Sequence, residues 1–294
     1  MNQFLETEQK IKFNPFKFGI ISIFAIMLFY QLAGVLLYTV FDFFISSEAV
    51  LLRSSAFIGQ LVFMLIPTLI LIKWQHGKIK TSIPFRIPTI TEVFVTILLI
   101  LTLQFVMEGF IYFEMKLPFP DFVKNIFDVI DKAFEGIYRQ LIIANSIPEL
   151  FYVLFVVALV PGICEEVLFR GLFLKNLLIT KTTSDSIIFS GVIFALLHFN
   201  PIALLPLIFL GMYLGFLLIR TKSIFIPIIA HVTNNAVTTL KVYFNPELIK
   251  QNSTSFNTTD GNELSLIIVI VIASIIFYFL HKYFNKITST ISEN

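Results

Sequence analysis

Runs of about twenty apolar residues, long enough as helix to cross ~30 Å of hydrocarbon, recur from one end of the chain to the other. They fall at 18–42, 55–74, 90–113, 149–175, 185–199, 202–219, 224–243 and 264–284, and predict about eight transmembrane helices. The fifth run is the shortest and is stopped by Asn200-Pro201, because proline lacks an amide proton and disfavours helix in the residue before it. Its end is expected inside the protein rather than at the lipid surface. Between the third and fourth runs, Val123, Phe127, Ile130, Phe134, Ile137 and Leu141 return at helical spacing and predict an amphipathic helix lying on the membrane surface. The stretch from Asn245 to Asn262 is too polar and turn-rich for packed structure and reads as a flexible outer connector. Its triplets at Asn252 and Asn257 match the glycosylation pattern, a motif too short to decide anything in an Asn/Thr-rich loop. The fold class is therefore all-α: a polytopic membrane helix bundle with a surface amphipathic helix, one integral membrane domain over residues 1–294.

Composition agrees, with 57% hydrophobic and 14% charged residues and a mean hydropathy of +0.88, far from the soluble norm of about a quarter charged. A net charge of +2 offers nothing to a nucleic acid, and the positive residues sit beside the apolar runs as anchors. Lys73, Lys78, Lys80 and Arg86, then Lys175 and Lys181, then Arg220 and Lys222, then Lys282 and Lys286 mark alternate loops, while Arg53 stands alone in the first. That bias places both termini in the cytoplasm. Lys10, Lys12 and Lys17 precede an apolar run from Phe18 to Ile45 that is too long for a secretory signal and reads as a retained span. With no organelle-targeting signal, a bacterial cytoplasmic membrane is expected. The single cysteine, Cys164, forms no internal disulfide and reads as a small apolar filler.

The chemistry lies in charges that hydrocarbon does not solvate. Glu165, Glu166 and Arg170 occupy one apolar run, where each costs roughly 2.5–3.5 kcal/mol even on the lenient insertion scale. Residues four apart share a helix face, so Glu166 and Arg170 can pair, while Glu165 points away as an unpaired carboxylate suited to a general base. His198 ends the short fifth run, with Phe194 one turn below to wall its imidazole. His231 and Asn235 are again four apart, and an imidazole with a carboxamide makes a donor pair for an oxyanion. Glu165 with His198 would hold and deprotonate a water, giving amide hydrolysis without a serine or cysteine nucleophile. Singly, a histidine or asparagine in a span is helix-to-helix glue, as Asn234 also would be. Together they point to chemistry. Glu108, His76 and His281, near span ends, are left out of the site.

The ordered trio Glu165-Glu166-Val-Leu-Phe-Arg170, Phe194-Ala-Leu-Leu-His198 and His231-Val-Thr-Asn-Asn235 resembles the family of CAAX prenyl endopeptidases and bacteriocin-processing proteins, with a motif-bearing core at about 150–240. The resemblance implies a membrane protease with an all-helical intramembrane fold. It implies Glu165 as the water-activating carboxylate with His198 its partner, His231 and Asn235 as the oxyanion-stabilising pair, and Glu166, Arg170 and Phe194 in support. The implied partners are the bilayer and a membrane-associated protein or peptide substrate. No cofactor is required in this reading; zinc held by Glu165, His198 and His231 is the alternative, although no His-Glu-x-x-His helix is present. Two non-hydrolytic readings stand beside it: a membrane scaffold or immunity protein that binds a peptide or lipid-modified tail, and a proton-coupled carrier. Against the carrier stands the lack of sequence repeats.

Overall fold

The computed structural model of the chain describes residues 11–250 and 263–293, and the triplets at Asn252 and Asn257 lie outside them. The described residues form α-helices without a named strand, joined in order as α1 (Pro15–Asp42), α2 (Glu48–His76), α3 (Ile90–Met115), α4 (Asp121–Ile142), α5 (Ile147–Leu178), α6 (Thr183–Leu196), α7 (Leu204–Thr221), α8 (Phe225–Phe244) and α9 (Glu263–Ile287), with short turns of helix between some of them. Local chemistry sets the starts. Asn14 caps α1 by accepting from the Lys17 amide, with Pro15 at the first helical position. Thr89 and Glu92 form a reciprocal capping box on α3, and Ser146 and Thr182 cap α5 and α6.

Among the described residues six helices, α1, α2, α3, α5, α7 and α9, are long and apolar enough to cross a membrane. The other two predicted spans are helices of a different kind. The 14 residues of α6 reach only ~21 Å at 1.5 Å per residue, short of the hydrocarbon thickness. In α8 the polar run His231, Thr233, Asn234, Asn235, Thr238 and Thr239 lowers the apolarity below that of a plain span. The amphipathic α4 forms where the spacing predicts it and packs against α2.

α5 is the centre of the bundle: every residue from Val167 to Leu178 is buried. It touches α1, α2, α6, α7 and α8, while α9 lies on α3. Small residues set these distances, as expected where lipid offers no hydrophobic drive between helices. A methyl added at Gly162 would come within 2.5 Å of Val232 on α8, and one at Gly191 within 2.8 Å of the Met212 backbone nitrogen on α7. α6 and α7 thus form a hairpin in near backbone contact, and its tip holds Phe199 at φ 51°, a left-handed conformation unusual for so bulky a residue.

Three stretches, Gly59–Leu65 in α2 and Phe155–Leu159 and Val167–Leu174 in α5, widen to i→i+5 hydrogen bonding. Such turns are rare and concentrate at functional sites. The two in α5 flank the turn that carries Glu165 and Glu166.

Two charges that the sequence places in loops are interior. α2 begins at Glu48, seven residues before the apolar run, so Arg53 falls inside the helix and is 2% exposed. It donates to Glu149 Oε1 at 2.6 Å, to Leu141 O at 3.1 Å and to Ile143 O, tying the last carbonyls of α4 to the start of α5. Lys175 is fully buried near the end of α5. At the same end of the bundle Arg86 clasps Glu92 with two nitrogens and donates to Thr221 O, which joins the α2–α3 connection to the end of α7.

Arg53 is buried, and its loss leaves the Leu141 and Ile143 carbonyls and the half-buried Glu149 carboxylate without their donor, so Arg53→Ala is expected to destabilise the chain by about 2 kcal/mol. The exposed Lys116–Glu263 pair between α3 and α9 serves as the control. In detergent, Arg53→Ala should lower the unfolding midpoint, and Lys116→Ala should leave it in place.

Candidate functional site

α5, α6 and α8 bring the six polar motif residues into two linked layers. The lower layer is fully interior. Glu166 and Arg170 are both 0% exposed, and Arg170 Nε lies 3.0 Å from Glu166 Oε2 even though the helix widens between them. The other carboxylate oxygen, Oε1, is 2.9 Å from His231 Nδ1 on α8. Arg170 Nη2 donates to Gly211 O at 3.1 Å, a carbonyl brought within reach by the α6–α7 hairpin. One carboxylate therefore binds a guanidinium from its own helix and an imidazole from another.

This arrangement dictates the state of His231. A carboxylate oxygen only accepts, so Nδ1 must carry its proton, which leaves Nε2 as the atom available for a ligand. When the ring carries both protons, Nε2 is itself a donor.

The upper layer is partly open. Glu165 and His198 have side chains 17% and 30% exposed and face each other, with Glu165 Oε2 3.7 Å from His198 Nε2. His198 Nδ1 is 2.6 Å from Phe194 O, and since a carbonyl cannot donate, Nδ1 holds the proton and Nε2 presents a lone pair when the ring is neutral. Glu165 Oε2 accepts no hydrogen bond among the described residues. Two acceptors thus confront each other across a gap longer than a hydrogen bond, a geometry that a proton shared between them or a donor molecule between them satisfies.

Phe194 joins the layers. It is fully buried, with its ring centroid 4.4 Å from that of His198 and 5.7 Å from that of His231, edge-on to the latter. Arg170 lies over its face at 5.1 Å, and Phe169 packs edge-on at 5.0 Å. Asn235 donates to Val157 O at a long 3.3 Å and accepts from Asn234, which in turn accepts from Gln104 of α3 at 2.8 Å. Asn235 is therefore tied to the Phe155–Leu159 turn by a weak bond.

A zinc centre would need Glu165, His198 and His231 to converge. The bond from Nδ1 to Glu166 leaves His231 Nε2 available, and among the described residues no three His, Cys, Asp or Glu side chains gather as a metal-holding group. Cys164 is buried beside Glu165 in sequence and faces the core cluster. Gln104 was not singled out in the sequence; a lone amide inside an apolar run was the signal available.

Residues 147–237 match the family model described as Type II CAAX prenyl endopeptidase Rce1-like. No curated protein and no solved structure matches the chain.

The two layers differ in what substitution should do. Arg170→Met strands the buried Glu166 carboxylate and is expected to cost about 3–5 kcal/mol, whereas Arg170→Met combined with Glu166→Gln should recover part of that loss. Thermal unfolding of the three proteins in detergent checks the order, and a double variant less stable than Arg170→Met alone would contradict it.

Proposed function

We propose, from the premise that residues 147–237 match the family model described as Type II CAAX prenyl endopeptidase Rce1-like, that the chain is an intramembrane endopeptidase hydrolysing a peptide bond of a membrane-associated protein or peptide. The observation that carries the reading is the facing pair of acceptors, Glu165 Oε2 and His198 Nε2, in a partly open layer above a closed ion-pair layer. A water between them donates one hydrogen to each. Glu165 takes a proton as the water oxygen attacks the scissile carbonyl, and His198 holds the oxygen in line. The oxyanion that forms is stabilised by Nε2–H of a doubly protonated His231 and by the Asn235 amide, with Asn235 exchanging its long bond to Val157 for the shorter one. Glu165 then returns the proton to the leaving amine, so the bond is cut with no covalent enzyme intermediate and no obligatory metal.

Glu166 and Arg170 support His231 in this scheme without touching substrate. The whole chain acts as one membrane unit, supported by the packing of α1 and α2 on α5 and of α3 on α8. A bacterial cytoplasmic membrane with both termini in the cytoplasm fits the lysine and arginine bias. A prenylated C-terminal tail is the substrate class that the family description offers, and the partly exposed Glu165–His198 layer inside the bundle fits a substrate held at the membrane.

Glu165→Gln preserves shape and removes the base. In cells carrying it, comparison of membrane proteomes with the native strain should reveal polypeptides that remain uncut, with loss of processing of at least about a hundredfold. The same set of termini in both strains would end the hydrolase reading in favour of a scaffold or immunity role, for which bulky substitutions in the site, but not Glu165→Gln, abolish the phenotype.

A further inference from the structure

One link in the site reaches outside the matched segment. Gln104 lies on α3, upstream of residues 147–237, and is 6% exposed where α3 packs along α8. Its Nε2 donates to Asn234 O at 2.9 Å and to Asn234 Oδ1 at 2.8 Å. Asn234 Nδ2 donates to Asn235 Oδ1 at 3.2 Å, and Asn235 Nδ2 donates to Val157 O at 3.3 Å. The threonines of the same polar stretch behave otherwise: the Thr233, Thr238 and Thr239 hydroxyls each donate to the carbonyl four residues back on their own helix. Three carboxamides from two helices thus stand in a row that ends on Asn235.

A carboxamide has a donor end and an acceptor end, and a row of them can run in either sense unless something fixes it. Here the Asn234 backbone carbonyl does so. It only accepts, so Gln104 must turn Nε2 toward it; Asn234 must meet that nitrogen with Oδ1, and Asn235 must then meet Asn234 Nδ2 with its own Oδ1. What remains at the far end is the Asn235 amide N–H, the donor that an oxyanion needs. Val157 O, another pure acceptor, holds the same sense from the other side, but through the longest bond of the row. Asn235 gives that bond up when it turns to an oxyanion, and Gln104 is then the anchor that keeps its orientation. Glue between α3 and α8 would have needed only the bond from Gln104 to the Asn234 carbonyl.

We infer that Gln104 is a positioning residue that acts through Asn234 to keep the Asn235 N–H aimed at the carbonyl oxygen under attack. Its part in catalysis rests on the hydrolase reading, whereas the sense of the amide row does not. A helix outside the motif-bearing segment then sets the polarity of the oxyanion site, which the motifs alone do not specify.

The processing rate of a polypeptide that Glu165→Gln leaves uncut tests this in cells, with Gln104→Met placed both in the native chain and in Asn235→Ala. Methionine matches the length of glutamine and removes the amide. Gln104→Met should slow processing about tenfold to a hundredfold in the native chain and add nothing in Asn235→Ala, where no amide is left to aim. Asn234→Leu, which cuts the row but spares the bond from Gln104 to the Asn234 carbonyl, should behave in the same way. In the full chain in lipid nanodiscs, prepared with isotope-labelled asparagine, the side-chain amide resonance lost in Asn235→Ala should move in Gln104→Met. The unfolding midpoint should stay close to native, because hydrogen bonds between helices in a bilayer are individually weak.

A Gln104→Met loss of the same factor in both backgrounds, a native rate in the native background, or an Asn235 resonance that stays in place overturns the inference, even while Glu165→Gln still blocks processing. If Gln104→Met does not fold, Asn234→Leu in the same two backgrounds decides. Unaltered processing with Glu165→Gln removes the hydrolase reading and the positioning role with it, and the Asn235 resonance then decides the amide row by itself.

Discussion

A carboxylate buried in the middle of a membrane bundle must be neutralised where it sits, and the pairing of Glu166 with Arg170 and His231 is the interaction on which this structure turns. Water is not there to do it, and an unpaired ion at that depth would cost several kcal/mol. The solution uses three helices. Arg170 comes from the same rod, His231 from α8, and the guanidinium Nη2 donates to the α7 carbonyl of Gly211. Once those contacts are made, α5, α7 and α8 have little freedom to slide or rotate against one another.

That constraint has a chemical consequence. Glu166 is fully engaged, so its neighbour in sequence, pointing to another side of the helix, has no cation left for it on α5. Glu165 faces His198 instead, a residue whose ring is fixed by its bond to the Phe194 carbonyl and by the Phe194 face. Phe194 also touches His231 and Arg170, so one aromatic ring transmits the order of the closed layer to the open one. The glycines at 162, 191 and 211 belong to the same argument. They let backbones approach closely enough for short polar side chains to meet in a place where long ones would be wasted.

Much of this was legible in the sequence and some of it could not be. Apolar run length located the spans because hydrocarbon thickness is a hard limit, and the stop at Asn200-Pro201 marked the hairpin tip beside His198, although that tip, with Leu196 and Phe199, is exposed and not interior as the sequence suggested. The pairing of Glu166 with Arg170 followed from helical spacing, although the helix widens between them and the contact survives only because the arginine is long. Arg53 and Lys175 read as loop charges since hydropathy registers where an apolar run ends, not where the helix ends, and both rods continue past their apolar stretch. The bond of His231 to Glu166 depends on which helices touch. So does the contribution of Gln104, an isolated amide in a remote span whose partner no local pattern names.

The central claim is that Glu165 and His198 act as one unit on a single water molecule. A double-mutant cycle on the rate of processing of one membrane polypeptide tests it most directly, comparing Glu165→Gln, His198→Ala and the two combined. Residues that work as a unit lose nearly everything at the first substitution, so the double variant is predicted to be no slower than the slower single one. Losses that multiply, with each substitution costing the same factor whether or not the other is present, would show two independent side chains and contradict the account.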